Sequence, residues 1–154
     1  MSKPIKILFC SSSGGHYWNI LHLKNLVDKY PSFVVTEKTD FCENKICEKK
    51  YLLPMLNRKT FSSYLKIPFV VIKSIFILIK EKPTHIISSG AFAVFPLLLF
   101  GKILGKKIIF LETYARVNTP SLVGKLTYRF ADLFLVQYQS MQKVYPKAKV
   151  GVVL

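Results

Sequence analysis

Acidic side chains are scarce in this sequence of 154 residues. Eight aspartates and glutamates stand against 23 lysines and arginines, which gives a formal net charge of +15. Such a surface attracts phosphate groups, whether they belong to nucleic acid, to anionic lipid or to a phosphorylated substrate. Lysine greatly outnumbers arginine and half of the chain is apolar, a combination that favours a membrane surface over nucleic acid. A basic protein that binds nucleotides or nucleic acid is the less favoured alternative.

Cysteines, metal-binding patterns and long apolar runs are few or missing. The three cysteines, an odd number without a recognisable secretory signal, argue against a disulfide framework. Cys42 and Cys47 do not have the spacing of a zinc pair and no Asp-x-Asp pair occurs, so we expect no metal site. The longest uncharged stretch, residues 83–101, is interrupted by His85 and Pro96, so no membrane-spanning helix is predicted.

Short apolar runs alternate with helical patterns along the whole chain. Strands are predicted over residues 5–10, 33–36, 51–53, 84–88, 107–111 and 133–136. Helices are predicted over residues 18–30, 61–80, 91–104, 120–131 and 140–145, and a polar surface loop over residues 39–50. This alternation predicts an α/β fold with a parallel sheet covered by helices on both faces. No repeat, low-complexity segment or linker divides the chain, so a single domain over residues 1–154 is expected.

The loop after the first strand, Ser11–His16, carries the strongest local signal. Gly14 and Gly15 permit positive φ angles and close backbone approach, and the helix that follows offers free N–H groups to a phosphate. The loop lacks both the Gly-x-Gly-x-x-Gly fingerprint and a Walker A lysine. Taken alone, it is either an anion site or a tight turn with a serine cap. His16 is either a neutral imidazole suited to act as a base or a capping residue.

Two further loops are expected at the carboxyl edge of the sheet, where ligands of parallel α/β folds collect. One contains Ser88, Ser89 and Gly90, and the other spans residues 112–118. Glu112 could orient a substrate hydroxyl, form a structural pair with Arg116 or position a neighbouring loop, and the residues alone leave these interpretations open.

Lysines recur every seven residues, at positions 59, 66, 73 and 80, so they form one stripe within and just before the predicted helix over residues 61–80. This stripe is either the solvated face of a helix packed on the sheet or the phosphate-facing side of a helix in the lipid interface. The apolar carboxyl-terminal segment over residues 150–154 either completes the sheet or inserts into another protein.

Three segments together resemble a known family. Ser12-Ser13-Gly14-Gly15-His16, Ser89-Gly90-Ala91 and residues 112–117, each after a predicted strand, are similar to the PssD-type polysaccharide-biosynthesis subunits. Those proteins are bacterial relatives of the membrane-anchor subunit that recruits the catalytic subunit of the second N-acetylglucosamine transferase of N-glycan assembly. The resemblance covers essentially the whole chain. The Gly-Gly-His loop also resembles MurG, in which one chain carries both halves of a GT-B glycosyltransferase.

The resemblance implies a Rossmann-like fold, corresponding to the N-terminal, acceptor-side half of a GT-B enzyme. It implies a heteromeric partner of the PssE type, the C-terminal half, which would bind the UDP-sugar, so that this chain holds no cofactor of its own. The pair would act as an inverting transferase on a polyprenyl-pyrophosphate-linked sugar in capsule or exopolysaccharide assembly. Neither half is expected to be active alone. The expected location is peripheral, at the cytoplasmic face of the plasma membrane, without nucleic acid as a partner.

The resemblance and the residue patterns together assign the candidate sites. His16 is the candidate base and Glu112 the candidate for orienting acceptor or donor. Contacts to the acceptor pyrophosphate are expected from Ser12, Ser13, Gly14, Gly15, Ser89, Gly90 and Arg116. Membrane contacts are expected from Lys66, Phe69, Lys73, Phe76 and Lys80, and partner contacts from Val150, Val152, Val153 and Leu154. The main alternative is a non-catalytic scaffold that only anchors and activates the partner.

Overall fold

The computed structural model describes residues 4–12, 15–38, 46–56 and 60–151, and it describes only the backbone of residues 15, 16, 61 and 62. Within these residues, one sheet contains the strands β1 (Ile7–Ser11), β2 (Ser32–Glu37), β3 (Lys50–Leu53), β4 (His85–Gly90), β5 (Lys107–Leu111), β6 (Leu133–Val136) and β7 (Lys149–Val150). The strand order is β3-β2-β1-β4-β5-β6-β7 and every neighbouring pair is parallel. The chain reverses its direction across the sheet between β1 and β4, which places a crevice at their carboxyl ends.

The helices are α1 (Gly15–Leu21), α2 (Lys24–Lys29), α3 (Phe61–Glu81), α4 (Phe95–Ile103) and α5 (Leu122–Tyr128), with 3-10 turns at Phe92–Val94 and Gln139–Lys143. The single helix predicted over residues 18–30 is therefore wrong, because a turn at Leu23 separates α1 from α2. The helix predicted over residues 91–104 begins only after Ala91, whose φ of 108° no helix accommodates, and its first turn, Phe92–Val94, is 3-10.

Alternate residues of the central strands point to opposite faces of the sheet, and each face is covered by helices. Leu8 and Cys10 of β1 belong to a core that includes residues of α3, α4 and α5. Ile7 and Phe9 belong to a second core with Tyr17 and Ile20 of α1 and the apolar side of α2. The predicted fold, a Rossmann-like parallel sheet with helices on both faces, is confirmed.

Helix α3 is fastened at its end by a buried carboxylate. Glu81 Oε2 accepts a hydrogen bond from Lys6 at 2.9 Å, and Oε1 accepts one from Tyr51 at 2.6 Å and forms an ion pair with Lys49 at 2.6 Å. The helix stops one residue later, because Lys82 adopts a left-handed conformation before Pro83. These contacts hold α3 to the amino edge of the sheet, away from the candidate site.

Candidate functional site at the carboxyl edge

Three polar loops leave neighbouring strands at the carboxyl edge of the sheet. β1 pairs with β4, where Ser11 lies opposite Gly90, and β4 pairs with β5, which runs directly into Glu112. The loops named from the sequence therefore follow three adjacent strands, at the point where the chain changes its direction across the sheet.

The loop after β4 has an unusual backbone. The register between β1 and β4 shifts after Cys10, so Ser89 is an extra residue, and the hydroxyl of Ser88 accepts a hydrogen bond from the backbone N–H of Gly90 at 3.1 Å. Gly90 and then Ala91 have φ angles of 107° and 108°. Such a φ at Ala91 costs about 1–3 kcal/mol, and strain of this kind concentrates at functional sites. Ser89 itself is buried.

The carboxylate of Glu112 is buried and holds the next loop to the start of α5. Ser121 donates to Oε2 through both its backbone N–H at 3.3 Å and its hydroxyl at 3.1 Å, and Tyr145 donates to the same oxygen at 3.0 Å. The backbone N–H of Thr113 lies 3.2 Å from Oε1. Burial is the main cause that raises the pKa of Tyr145, and the Glu112 charge and hydrogen bond raise it further, so the phenol stays a donor.

Arg116 does not form the structural pair with Glu112 that the sequence left open as one alternative. Within the described residues no ion pair joins it to Glu112. Its guanidinium is exposed and donates to the hydroxyl of Thr119 at 3.3 Å, which leaves most of its donors directed to solvent or to a ligand.

A small cavity of about 110 Å³ joins the second and third loops. Its lining includes Gly90, Ala91 and Phe92 from one loop and Thr113 and Arg116 from the other. Two residues named from the sequence as contacts for the acceptor pyrophosphate, Gly90 and Arg116, are thereby brought to the same cavity.

The first loop is described only in part. Ser12 is half-buried directly after β1, Ser13 and Gly14 lie outside the described residues, and Gly15 and His16 begin α1. The side chain of His16 is also outside the described part, so its role as a base stays a prediction.

The residues predicted for membrane contact lie on the outer side of α3. Lys66, Phe69, Phe76 and Lys80 are exposed, while Lys73 is half-buried and donates to the carbonyl of Leu52 at 2.7 Å. The lysines run beside an exposed apolar stripe, which consists of Leu65, Phe69, Ile72, Phe76 and Ile79. A helix that only packs on a sheet carries polar side chains on that outer face. No helix in the described part of the chain combines the length and apolar character needed to cross a membrane.

The predicted partner segment begins at an exposed edge of the sheet. Val150 ends β7, the last strand of the sheet, and is 44% exposed. Val152, Val153 and Leu154 lie outside the described residues. Among the residues that are described, no three His, Cys, Asp or Glu side chains lie close enough together to hold a metal ion.

Sequence reasoning missed the partners of Glu112. Ser121 was identifiable in principle, because a serine after proline and before an apolar run is typical of a helix N-cap, and its hydroxyl accepts from Gly124 N at 2.9 Å. Tyr145 carried no local signal, since it lies 33 residues further along the chain.

Solved structures with this fold define the class of the domain. The chain resembles MurG of Acinetobacter baumannii with a TM-score of 0.69 and 14% identity, over 86% of this chain and 41% of that one. It resembles UDP-GlcNAc 2-epimerase of Neisseria meningitidis with a TM-score of 0.69 and 12% identity, over 96% of this chain and 46% of that one. The chain therefore has the fold of a GT-B N-terminal half and spans less than half the length of these solved chains.

Residues 7–154 match the family described as "Oligosaccharide biosynthesis protein Alg14 like", and the chain belongs to this family. It is 30% identical to UDP-N-acetylglucosamine transferase subunit alg14 of Schizosaccharomyces pombe, over 98% of this chain and 85% of that protein. The mouse (Mus musculus) ALG14 subunit is 26% identical over 95% of this chain and 81% of its own length. A pyrophosphoryl-undecaprenol N-acetylglucosamine transferase of Borreliella afzelii is 27% identical over 94% of this chain but 43% of its own length.

Proposed function

We propose that this chain is the acceptor-binding, membrane-recruiting subunit of a two-protein transferase that moves a sugar from a UDP-sugar to a polyprenyl-pyrophosphate-linked sugar. One observation carries the proposal: the chain matches proteins named as transferase subunits over 95–98% of its own length and 81–85% of theirs. N-acetylglucosamine is the donor sugar in the names of these relatives, and a pyrophosphoryl-undecaprenol acceptor is in the name of the Borreliella enzyme.

The partner in this proposal is a PssE-type C-terminal half of GT-B, which binds the UDP-sugar, so this chain holds no cofactor. The open edge at β7 and the apolar segment after it are the proposed contact. The reaction belongs to bacterial polysaccharide assembly at the cytoplasmic face of the membrane. The exposed apolar stripe of α3 and its lysines support membrane recruitment, because apolar residues insert between lipids while lysines meet lipid phosphates.

In the proposed site, the loop Ser11–His16 and the cavity between Gly90 and Arg116 hold the acceptor pyrophosphate. His16 accepts the proton of the attacking acceptor hydroxyl. Glu112 serves the site indirectly, since its carboxylate is bonded to Ser121 and Tyr145 and keeps the Arg116 loop in place. These hydrogen bonds give Glu112 a structural role, so the choice between a catalytic subunit and a non-catalytic scaffold depends on His16.

The test uses the chain co-expressed with its partner, a UDP-sugar and a polyprenyl-pyrophosphate-linked sugar. We expect transfer only when both proteins are present. His16→Ala should lower kcat about 100-fold or more if the imidazole is the base. His22→Ala is the matched control, because His22 is exposed a short distance further along the chain. Unchanged kcat in His16→Ala would contradict the catalytic role of His16 and favour the non-catalytic scaffold. Sugar transfer by the partner without this chain would overturn the proposal itself.

A further inference from the structure

Two neighbouring cavities share one lining residue, Phe92. Phe92 lines the small polar cavity that contains Arg116 and Gly90. It also lines a second cavity of about 260 Å³ between α3 and α4. The 3-10 turn at Phe92–Val94, which follows the strained Ala91, therefore separates the two spaces.

The second cavity is lined by apolar residues. Ile67 and Val71 line it from α3, Phe95 and Leu99 line it from α4, and Leu56 closes one side. Apolar walls offer water no hydrogen bonds, so such a cavity favours an apolar occupant. Its volume lies just below the ~300–1,000 Å³ of sites that enclose a drug-sized molecule, which suits one segment of a longer chain.

The smaller cavity offers a binding site for an anionic group next to the apolar cavity. The guanidinium of Arg116 is exposed and has donors to spare, and its planar geometry matches two phosphate oxygens at once. The backbone at Gly90 and Ala91, with positive φ angles, lines the same space. An anion held beside Arg116 thus lies across Phe92 from the apolar cavity. A ligand that fills both spaces is an amphiphile with a phosphate end and a hydrocarbon chain.

We propose that the apolar cavity between α3 and α4 binds the first isoprenoid units of the polyprenyl pyrophosphate, with the pyrophosphate at Arg116 and Phe92 at the junction. This inference rests on the proposed function and adds to it a site for the lipid itself. A specific cavity of the protein, rather than the bilayer alone, then recognises the hydrocarbon part of the lipid that adjoins the phosphates.

Calorimetry on the purified full-length protein tests whether the apolar cavity binds the isoprenoid units. The probes are farnesyl pyrophosphate, inorganic pyrophosphate and farnesol, with the two farnesyl compounds below their micellar concentrations. Farnesyl pyrophosphate should bind at least about tenfold more tightly than pyrophosphate, because its chain leaves water on binding. Leu99→Gln should remove this preference, and Val71→Phe, which fills the cavity, should do the same. Ile103→Gln is the matched control: it lies one turn further along α4, is 69% exposed and does not line the cavity.

Equal affinity for farnesyl pyrophosphate and pyrophosphate in the unsubstituted chain would overturn the inference. If Leu99→Gln and Ile103→Gln weaken the binding of farnesyl pyrophosphate equally, the inference would also be overturned, since the farnesyl group would then lie on the general apolar surface. Thermal unfolding of each variant identifies any that fails to fold. The sugar-transfer assay separates the two proposals: transfer without a farnesyl preference refutes only the cavity, and a farnesyl preference without transfer refutes only the proposed function.

Discussion

At the scale of single residues, Glu112 connects three parts of the chain that are distant in sequence. Its buried carboxylate receives hydrogen bonds from Ser121 at the start of α5 and from Tyr145 near the carboxyl end. Buried carboxylates are tolerated only when they are fully hydrogen-bonded. This arrangement leaves room for no side chain at Gly124, because a Cβ there overlaps Glu112 Oε2 and lies 2.8 Å from the Tyr145 hydroxyl.

Gly124→Ala should therefore destabilise the protein by about 1–3 kcal/mol, since the backbone or the carboxylate has to shift. Urea unfolding measures the change. The matched control is Gly151→Ala, whose Cβ would meet its nearest neighbour, Leu135, at 3.9 Å, and which should change stability by less than about 0.5 kcal/mol. A Gly124→Ala protein as stable as the unsubstituted one would show that the Glu112 network is loose.

At the scale of elements, α3 combines a firmly attached end with an unusual outer face. Glu81 in its last turn is unfavourable for the helix dipole, yet it is buried with Lys6, Lys49 and Tyr51 around it. Hydrogen bonds from Lys49 and Tyr51, with a smaller contribution from Lys6, lower the pKa of Glu81 from its ordinary value of 4.5 to about 2. The ionised carboxylate is thus part of the attachment of α3 to β1 and β3.

Glu81→Gln should lower the free energy of unfolding at pH 7 by about 1–3 kcal/mol, as expected for hydrogen bonds to a charged group. Because the pKa is lower in the folded state, this contribution is complete above the unfolded pKa near 4.5 and is lost as the pH falls towards about 2. The difference between the two proteins should therefore shrink below pH 4.5 in urea unfolding. Glu48→Gln, at an exposed glutamate, is the control, and a pH-independent difference would contradict this account.

At the scale of the whole molecule, two forces favour binding to an anionic bilayer, and salt weakens only one of them. The net charge of +15 acts over about one Debye length, ~10 Å at 0.1 M salt, and is screened as the salt rises. The exposed apolar stripe of α3 acts by contact and is not screened. A nucleic-acid binder of the same charge would depend on the first force almost alone.

Flotation with anionic vesicles should therefore weaken, but persist, between about 0.05 and 0.5 M salt. Ile72→Ser, in the centre of the apolar stripe and 68% exposed, should weaken vesicle binding about tenfold at both salt concentrations, because one side chain no longer leaves water. Ile5→Ser, at an exposed isoleucine outside α3, should have no effect. Retention of RNA with no flotation would favour the nucleic-acid alternative instead.

Local pattern determined most of the secondary structure and the class of the sheet, which is parallel with helices on both faces. The strand over residues 107–111 and the one over residues 133–136 were predicted with their observed bounds, because short apolar runs between polar loops are decided by neighbouring residues. The family was also identifiable from three short segments, since loops at the carboxyl ends of strands carry the residues that bind ligands. The branch of the family and the role of His16 stay predictions.

Tertiary structure alone decided what the side chains of those loops contact. Glu112 was named from its place after a strand, but its bonds to Ser121 and Tyr145 depend on the packing of α5 and of a turn far along the chain. The break between α1 and α2 at Leu23 and the positive φ of Ala91 were likewise not predicted, because local helix preference favours neither. The outer face of α3 is the clearest case: periodicity placed its lysines in one stripe, but only the folded chain shows that the face opposite the core is apolar, because burial depends on which side meets the sheet.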